Sequence, residues 1–333
     1  MTTTPGPSRR ALLRVAALAG RALLVVWVTA TVVFLALRAA GGDPVEAVLG
    51  GPGSQAGPEA VAAARAQYGL DLPIWQQYLL QLWRVLTLDL GDSYARRTPV
   101  LDLVLSALGP TAALAVSALV LGWLLALGAA WLVSWARAVS GRLAPVGRAV
   151  VAVVRGWEVL ASVLPHFWLG AVLVALFAVG LRWFPATSTP GSLAGLVLPT
   201  VTLAIPLAGF LGQLLGEGVG DAESRPFATT ARARGAGPTR VFARHTLRHA
   251  AIPTVALTGW AFGFLVSGAV VVETLFGRPG LGRLLVDSTL QRDVPVVMGA
   301  IVVIALVYVL LTVVTEAVEG LLDPRAATTG EDR

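Results

Sequence analysis

Chemistry at a protein site needs nucleophiles, proton carriers or metal ligands, and this sequence is poor in all three. It contains no cysteine and no lysine, and only three histidines: His166, His245 and His249. Without cysteine there is no thiol nucleophile, disulfide, zinc ribbon or iron–sulfur cluster. Without lysine the G-x-x-x-x-G-K-[ST] loop that cradles nucleotide phosphates cannot be built. Three scattered histidines do not make a transition-metal set. No serine occupies a G-x-S-x-G elbow, and none stands beside a His–Asp combination in an apolar stretch. The chain therefore reads as non-catalytic, with no cofactor and no metal of its own.

The charged residues that remain are informative by position. All 25 basic residues are arginine, and the net charge is +6. Six of them fall in 217–249, the densest inner cluster. Arg155 and Glu158 lie one helical turn apart at the start of an apolar run, and Glu273 lies near the end of another. Buried carboxylates at mid-membrane mark proton relays and ion coupling. These three read instead as boundary residues with structural roles, which disfavours an ion-driven transporter. Arginines beside helix ends account for the net charge without nucleic acid.

The elements that position these residues are membrane helices. Of 333 residues 56% are hydrophobic and 13% charged, where a soluble domain carries about 25% charged. Five stretches lack Asp, Glu, Lys and Arg altogether: 103–136, 159–181, 183–216, 249–272 and 294–315. About 20 residues cross the hydrocarbon core. A sixth stretch, Ala22–Leu37, is bounded by Arg21 and Arg38, whose stems reach the headgroups. The pattern predicts an all-α polytopic protein with six helices at 15–38, 110–136, 157–181, 193–216, 250–275 and 295–320. The two 34-residue runs would make helices of about 51 Å, too long for a core of about 30 Å. Their ends are expected to be loop, with Gly109-Pro110 starting the second helix and Pro185, Pro190 and Gly191 preceding the fourth.

Arginine placement sets the orientation. The N-terminus, 137–155, 217–249 and the C-terminal tail together hold sixteen arginines, and the other side holds nine. Both termini are thus expected in the cytoplasm. Ala39-Ala40-Gly41 offers small residues for signal cleavage, but Arg38 separates them from the apolar run, so the first helix reads as retained.

Two segments outside the membrane carry further signals. In the outer segment 41–109, Pro58 can open a helix running to about Gln67. Pro73 can open another, with Ile74, Trp75, Tyr78, Leu79, Leu82, Trp83 and Leu86 at helical spacing. That helix reads as lying on the outer membrane surface or as a platform for an external partner. In the inner segment 217–249, Ser224 is an expected N-cap, Pro226 suits a first turn and Gly235 a C-terminal stop. Pro238 can then begin a helix carrying Arg240, Arg244 and Arg248. A helix of about ten residues is marginal alone and needs a surface: its own chain, the inner leaflet or a cytosolic subunit.

Small residues recur at four-residue spacing. Ala208, Gly212, Gly216 and Gly220 share one face of the fourth helix, and Gly259, Gly263 and Ser267 one face of the fifth. Such faces admit close helix approach. Pro199, Pro206 and Pro253 are expected to bend these helices. Gly212, Gly216, Gly259, Gly263 and Ser267 are thus candidates for packing along a pathway between helices four and five.

Several blocks, taken together, resemble one family. They are Gly42-Asp43-Pro44; Tyr68-Gly-Leu-Asp71-Leu-Pro73 with Gln77-Tyr78-Leu79; Leu88-Asp-Leu-Gly91-Asp-Ser93; and Pro165-His-Phe-Trp-Leu-Gly170. Val272-Glu273-Thr-Leu-Phe276 with Pro279-Gly-Leu-Gly282-Arg-Leu-Leu285 follows, and Leu321-Leu-Asp-Pro-Arg325 closes the series. In order and spacing, over about residues 10–325, they are similar to the integral-membrane permease subunits of binding-protein-dependent ABC importers of the dipeptide/oligopeptide/nickel branch. The resemblance implies the type I ABC importer transmembrane-domain fold over 15–325, between cytoplasmic tails 1–14 and 326–333, in a bacterial cytoplasmic membrane.

It also implies half of a translocation pathway for di- or oligopeptides, with nickel, glutathione or opine-like solutes as alternatives. The partners implied are a second related permease, two cytosolic ATPases holding ATP and Mg, and an extracytoplasmic substrate-binding protein. The inner segment resembles the family's ATPase-coupling loop through Thr229-Thr230-Ala231-Arg232-Ala233-Arg234-Gly235 and Arg244-His245-Thr-Leu-Arg248. Ser224 and Phe227 complete that site. Pro226-Phe227 replaces a frequent Asp-Tyr, His249 a common Asn, and His166 a usual Ser. An ion-coupled secondary transporter and a membrane enzyme are the competing classes.

Overall fold

The computed structural model describes residues 7–39, 41, 45–49, 56–188 and 191–322, and every regular element among them is helical. The expected markers Gly42-Asp43-Pro44, Pro190 and Asp323-Pro324-Arg325 lie outside the described residues, as do positions 1–6 and the tail 326–333. The helices are α1 (Pro7–Ala39), α2 (Val45–Val48), α3 (Pro58–Tyr68), α4 (Ile74–Thr87) and α5 (Val100–Ala138). Next come α6 (Ala144–Val163), α7 (His166–Leu173), α8 (Ala194–Ser224), α9 (Pro226–Ala233) and α10 (Pro238–Val241). The last three are α11 (Leu247–Leu275), α12 (Leu281–Leu290) and α13 (Val294–Leu322). Wider π-type turns extend α7 over Val174–Gly180 and join α10 to α11 over Phe242–Thr246.

Among the described residues, four helical segments are long and apolar enough to cross a membrane: Ala16–Ala39, Val100–Ala138, Ala194–Ser224 and Val294–Val318. Two more arise if bent pairs count as single spans. Gly141–Val163 meets His166–Gly180 at 108°, and Pro238–Gly259 meets Ala261–Leu275 at 49°. Counted so, the described residues hold four to six spans, and the six expected ones correspond to the four single helices and the two bent pairs. The first break falls at Leu164-Pro165, where proline removes a backbone donor and pushes its predecessor out of the helical region; Leu164 is extended at ψ 124°. The second falls beyond Pro253, which α11 accommodates, as α8 accommodates Pro199 and Pro206 in one continuous helix.

Three boundaries differ from expectation. α5 starts at Val100 and runs through Gly109-Pro110, because a proline inside a helix forfeits one hydrogen bond without ending it. Its 39 residues span about 58 Å, so the helix itself protrudes. The stretch 137–155, expected as a loop, is mostly α6. The stretch 276–294 contains α12.

The chain divides into two compact units, Met1–Gly109 with Arg283–Leu310 and Pro110–Gly282 with Leu311–Arg333. In the first unit, α3 and α4 begin where Pro58 and Pro73 placed them, Pro58 at N1 and Pro73 at the cap. The Tyr78 hydroxyl accepts from Trp27 Nε1 at 3.1 Å and lies 2.8 Å from Thr31 Oγ1, fastening α4 to α1. Val45, Val48, Ala64 and Tyr94 form a small core, with Tyr68 edge-on to Tyr94 at 4.8 Å. Asp293, 1% exposed, accepts from Ser93 Oγ and from the backbone N–H groups of Tyr94 and Ala95. Burial pushes the Tyr94 hydroxyl pKa up to about 12, against the pull of Arg84.

The second unit is built on α8. Leu203, Leu207, Leu211 and Leu215 are fully buried there, packed with Leu114, Leu265 and Phe276 or, for Leu215, with Val219 and Phe242. A helix apolar on all sides belongs in the centre of a bundle. Between membrane helices, close packing supplies the cohesion that water exclusion supplies elsewhere.

Candidate functional site

The hairpin after α8 has a clear local logic. Arg225 is extended (ψ 152°), and Pro226 follows as the first helical residue of α9, where its missing N–H costs nothing. The helix closes with Gly235 at φ +82°. There Gly235 N–H donates to Arg232 O at 2.9 Å, and Ala236 N–H to Ala231 O at 3.1 Å. This paired closure is the Schellman arrangement, which favours glycine at that position. Ser224 does not serve as the N-cap. Its hydroxyl donates backwards to Asp221 O at 2.7 Å, finishing α8, because the extended residue directly before α9 is Arg225.

α9 has two faces. Ala228 and Ala231 are buried against Val241, flanked by Phe227 and Ala236; the small side chains let α9 lie close to α10, the returning arm of the hairpin. Thr229, Thr230, Ala233 and Arg234 are exposed. Phe227 stacks on His249 at 4.9 Å. Arg244 and Arg248 are exposed and His245 is half-buried.

Arg232 does something the sequence did not reveal. Its Nη2 donates to Glu223 O at 2.6 Å, satisfying a carbonyl in the last turn of α8. The Glu223 side chain accepts from Ser134 Oγ and lies 4.0 Å from Arg137 Nη1, both on α5. Trp131 Nε1, also on α5, donates to Thr239 Oγ1 of α10 at 3.3 Å. The hairpin is thus bolted to α5 and α8. Glu223 and Ser134 were missed; an acid amid so many arginines was the available signal.

The small-residue faces seat charges as well as helices. An added Cβ at Gly212 would stand 2.8 Å from Glu158 Oε1, at Gly216 2.5 Å from the Arg155 guanidinium, and at Gly220 3.2 Å from Arg137 Nη1. Arg155 and Glu158 pair at 2.9 Å, with Glu158 fully buried and its Oε1 without a hydrogen-bond partner among the described residues. This pair therefore lies within α6 and against α8. Gly259 faces Thr315 of α13, while Gly263 and Ser267 lie on an exposed stretch of α11. The close α8–α11 contacts run instead through Gly218, against Ala250, and Gly268, against Leu203. Gly212 and Gly263 thus do not face each other.

Glu273 is also fully buried. It accepts from Thr111 Oγ1 at 2.6 Å and from Gly282 N–H at 2.7 Å. Arg278 turns to Pro110 O at 3.1 Å; burial pushes its pKa down, opposed by Glu273. An added Cβ at Gly280 would lie 2.1 Å from Glu273 Oε1. The glycines of the Pro279–Gly282 block are there to let backbone reach a carboxylate. The site as a whole has a presented helix, a rigid mount and structural carboxylates.

Known proteins resemble this chain over most of its length. Residues 138–328 match the family described as binding-protein-dependent transport system inner membrane component. The glutathione transport system permease protein GsiC of Salmonella choleraesuis is 33% identical, covering 89% of this chain and 93% of that protein. The probable peptide ABC transporter permease protein y4tP of Sinorhizobium fredii is 33% identical, covering 88% and 92%. A solved structure, described as an amino acid ABC transporter with histidines, aligns with TM-score 0.45 and 17% identity, over 67% of this chain and 94% of that one.

Proposed function

Because the chain belongs to the family of binding-protein-dependent transport system inner membrane components, and is a multi-pass permease subunit of an ABC importer, we propose that it forms half of a pathway for peptides or a small peptide-like solute. The relatives' own substrates, peptides and glutathione, support that class. The partners are a second permease, two cytosolic ATPases and an extracytoplasmic binding protein. The chain itself is non-catalytic; ATP and Mg bind the ATPases. The side rich in arginine, with both termini and the α9 hairpin, faces the cytoplasm.

The observation that carries the coupling role is the two-faced mounting of α9. One face is buried, the end is locked by Gly235, and Arg232 ties the helix to α8. The other face presents Thr229, Thr230, Ala233 and Arg234 to solvent. A lever must be stiff on its own side and open on its partner's. On this reading Arg234 docks the ATPase while Arg232 anchors the lever.

The test is an Ala233→Glu, Arg234→Glu variant, co-expressed with the ATPases, second permease and binding protein. Retention of the ATPases on purification should fall about tenfold or more, as expected for a few kcal/mol of interface mismatch, and ATP-driven peptide uptake into proteoliposomes should fall with it. Undiminished retention and uptake would exclude α9 as the dock. Uptake driven by an ion gradient without ATPases would exclude the importer assembly itself.

A further inference from the structure

The first unit contains a cleft that transport coupling does not use. It lies where α1 ends, bounded by α4 and the turn after α3. Its polar lining is Arg38, Tyr68, Gln77, Gln81, Arg84 and Tyr94, and none of the described lining residues is acidic. Phe34, Leu37 and Leu80 supply apolar wall.

The polar groups are differently committed. Gln77 Oε1 accepts from Arg38, while its Nε2 donates to Leu70 O at 3.2 Å and Leu72 O at 2.7 Å. Gln77 therefore fixes Arg38 on the turn that follows α3. Arg38 also lies over the Phe34 ring at 5.7 Å. Arg84 is half-buried and lies beside Gly91, and its guanidinium makes no ion pair or hydrogen bond among the described residues. Tyr94 is 5% exposed and lines the cleft. Two guanidiniums and a buried phenol thus converge in a lining whose described residues include no carboxylate, an arrangement suited to a phosphate.

The surroundings say which phosphate. α1 belongs to a membrane span ending at Ala39, so Arg38 stands at headgroup level. α4 carries Trp75, Leu79, Trp83 and Leu86, all at least half exposed, along an apolar groove that shares Leu80 with the cleft. Trp at such a level is the ordinary membrane-interface anchor. A soluble anion would have no use for that groove; an acyl chain would.

The geometry points to a binding site for one anionic glycerophospholipid, its phosphate between Arg38 and Arg84 and an acyl chain along the Trp75–Leu86 row of α4. The lipid would wedge α4 against α1 and hold the outer segment at the membrane.

Native mass spectrometry of the full-length chain in detergent tests this with phosphatidylglycerol, phosphatidylcholine and glycerol phosphate as probes. The wild type should retain phosphatidylglycerol in preference to phosphatidylcholine. Arg38→Gln with Arg84→Gln should weaken that preference about 30-fold, at about fivefold per arginine near a lipid surface. Arg97→Gln, an exposed arginine of the same segment outside the cleft, should leave it unchanged, and glycerol phosphate should not displace the lipid. If the double variant does not purify as a monodisperse species, Arg84→Gln alone should show the fivefold loss. An unchanged preference in the cleft variants, an equal loss in Arg97→Gln, or displacement by glycerol phosphate would each overturn the assignment.

Discussion

Gly282→Ala adds one methyl group where the fold leaves no room for it. The new Cβ would stand 2.5 Å from Val270 Cα and 2.9 Å from Val270 N. Backbone atoms cannot swing aside as a side-chain tip can, so the start of α12 must lift from α11. Overpacking of this kind costs about 1–3 kcal/mol. The lift also stretches the 2.7 Å bond from Gly282 N–H to the buried Glu273 carboxylate, and bonds to charged groups are worth about 1.5–3 kcal/mol. Alanine returns at most about 1 kcal/mol of helix propensity. The net expectation is a loss of roughly 2–5 kcal/mol.

The assay is the fraction of purified subunit remaining monodisperse after heating, read by size-exclusion chromatography. Gly128→Ala is the matched control, since a Cβ there meets nothing within 4 Å. Gly282→Ala should lose its midpoint by several degrees while Gly128→Ala stays at or above the wild type. Equal midpoints would refute the claim that Glu273 fastens α12 to α11.

Gly212→Leu should prevent recovery of folded protein, because it drives into a buried ion pair whose disruption costs about 3–5 kcal/mol. Gly263→Leu, on an exposed stretch of α11, should keep the wild-type melting midpoint; equal behaviour of the two would contradict the seating of Glu158 on α8. Tyr94 has a folded pKa raised from 10.0 to about 12, so its neutral form is the one the fold favours. Its contribution is complete below pH 10 and falls by about 1.4 kcal/mol per pH unit between pH 10 and 12. Tyr94→Phe should therefore flatten the alkaline stability profile in that window. Asp293→Ala leaves Ser93 and two backbone donors unpaired, a loss of about 2–4 kcal/mol, measurable in the same melting assay.

Apolar runs made the six crossings legible because hydrocarbon imposes one length on every span. They did not reveal where a span breaks. Pro165 and Pro253 have the same chemistry, yet α6 and α7 turn by 108° at the first while α11 runs through the second. A proline's own chemistry therefore does not tell a break from a tolerated kink. Helix starts at Pro58, Pro73, Pro226 and Pro238 were legible for the opposite reason: an N-terminal proline acts within its own turn. Ser224 was misread because two consecutive residues compete for one cap, and the winner depends on the backbone angle of Arg225.

The glycine rows mark the deeper boundary of sequence reading. Gly212 and Gly216 advertise close approach but not what approaches, and small-residue faces ordinarily meet other helices' backbones. Here Gly209 does so, against the Glu158 carbonyl and Ser162 amide, while Gly212 and Gly216 receive the Glu158 carboxylate and the Arg155 guanidinium. The same division separates Arg232 from Arg234. They are two residues apart and alike in charge, so pattern assigns them one role. A guanidinium 2.6 Å from a helix-end carbonyl is already occupied, and a partner would have to break that bond to use it. The exposed Arg234 carries no such tie. On the proposed coupling role, a force applied to α9 would enter through the exposed row that includes Arg234 and leave through Arg232, Glu223 and Ser134 into α8 and α5.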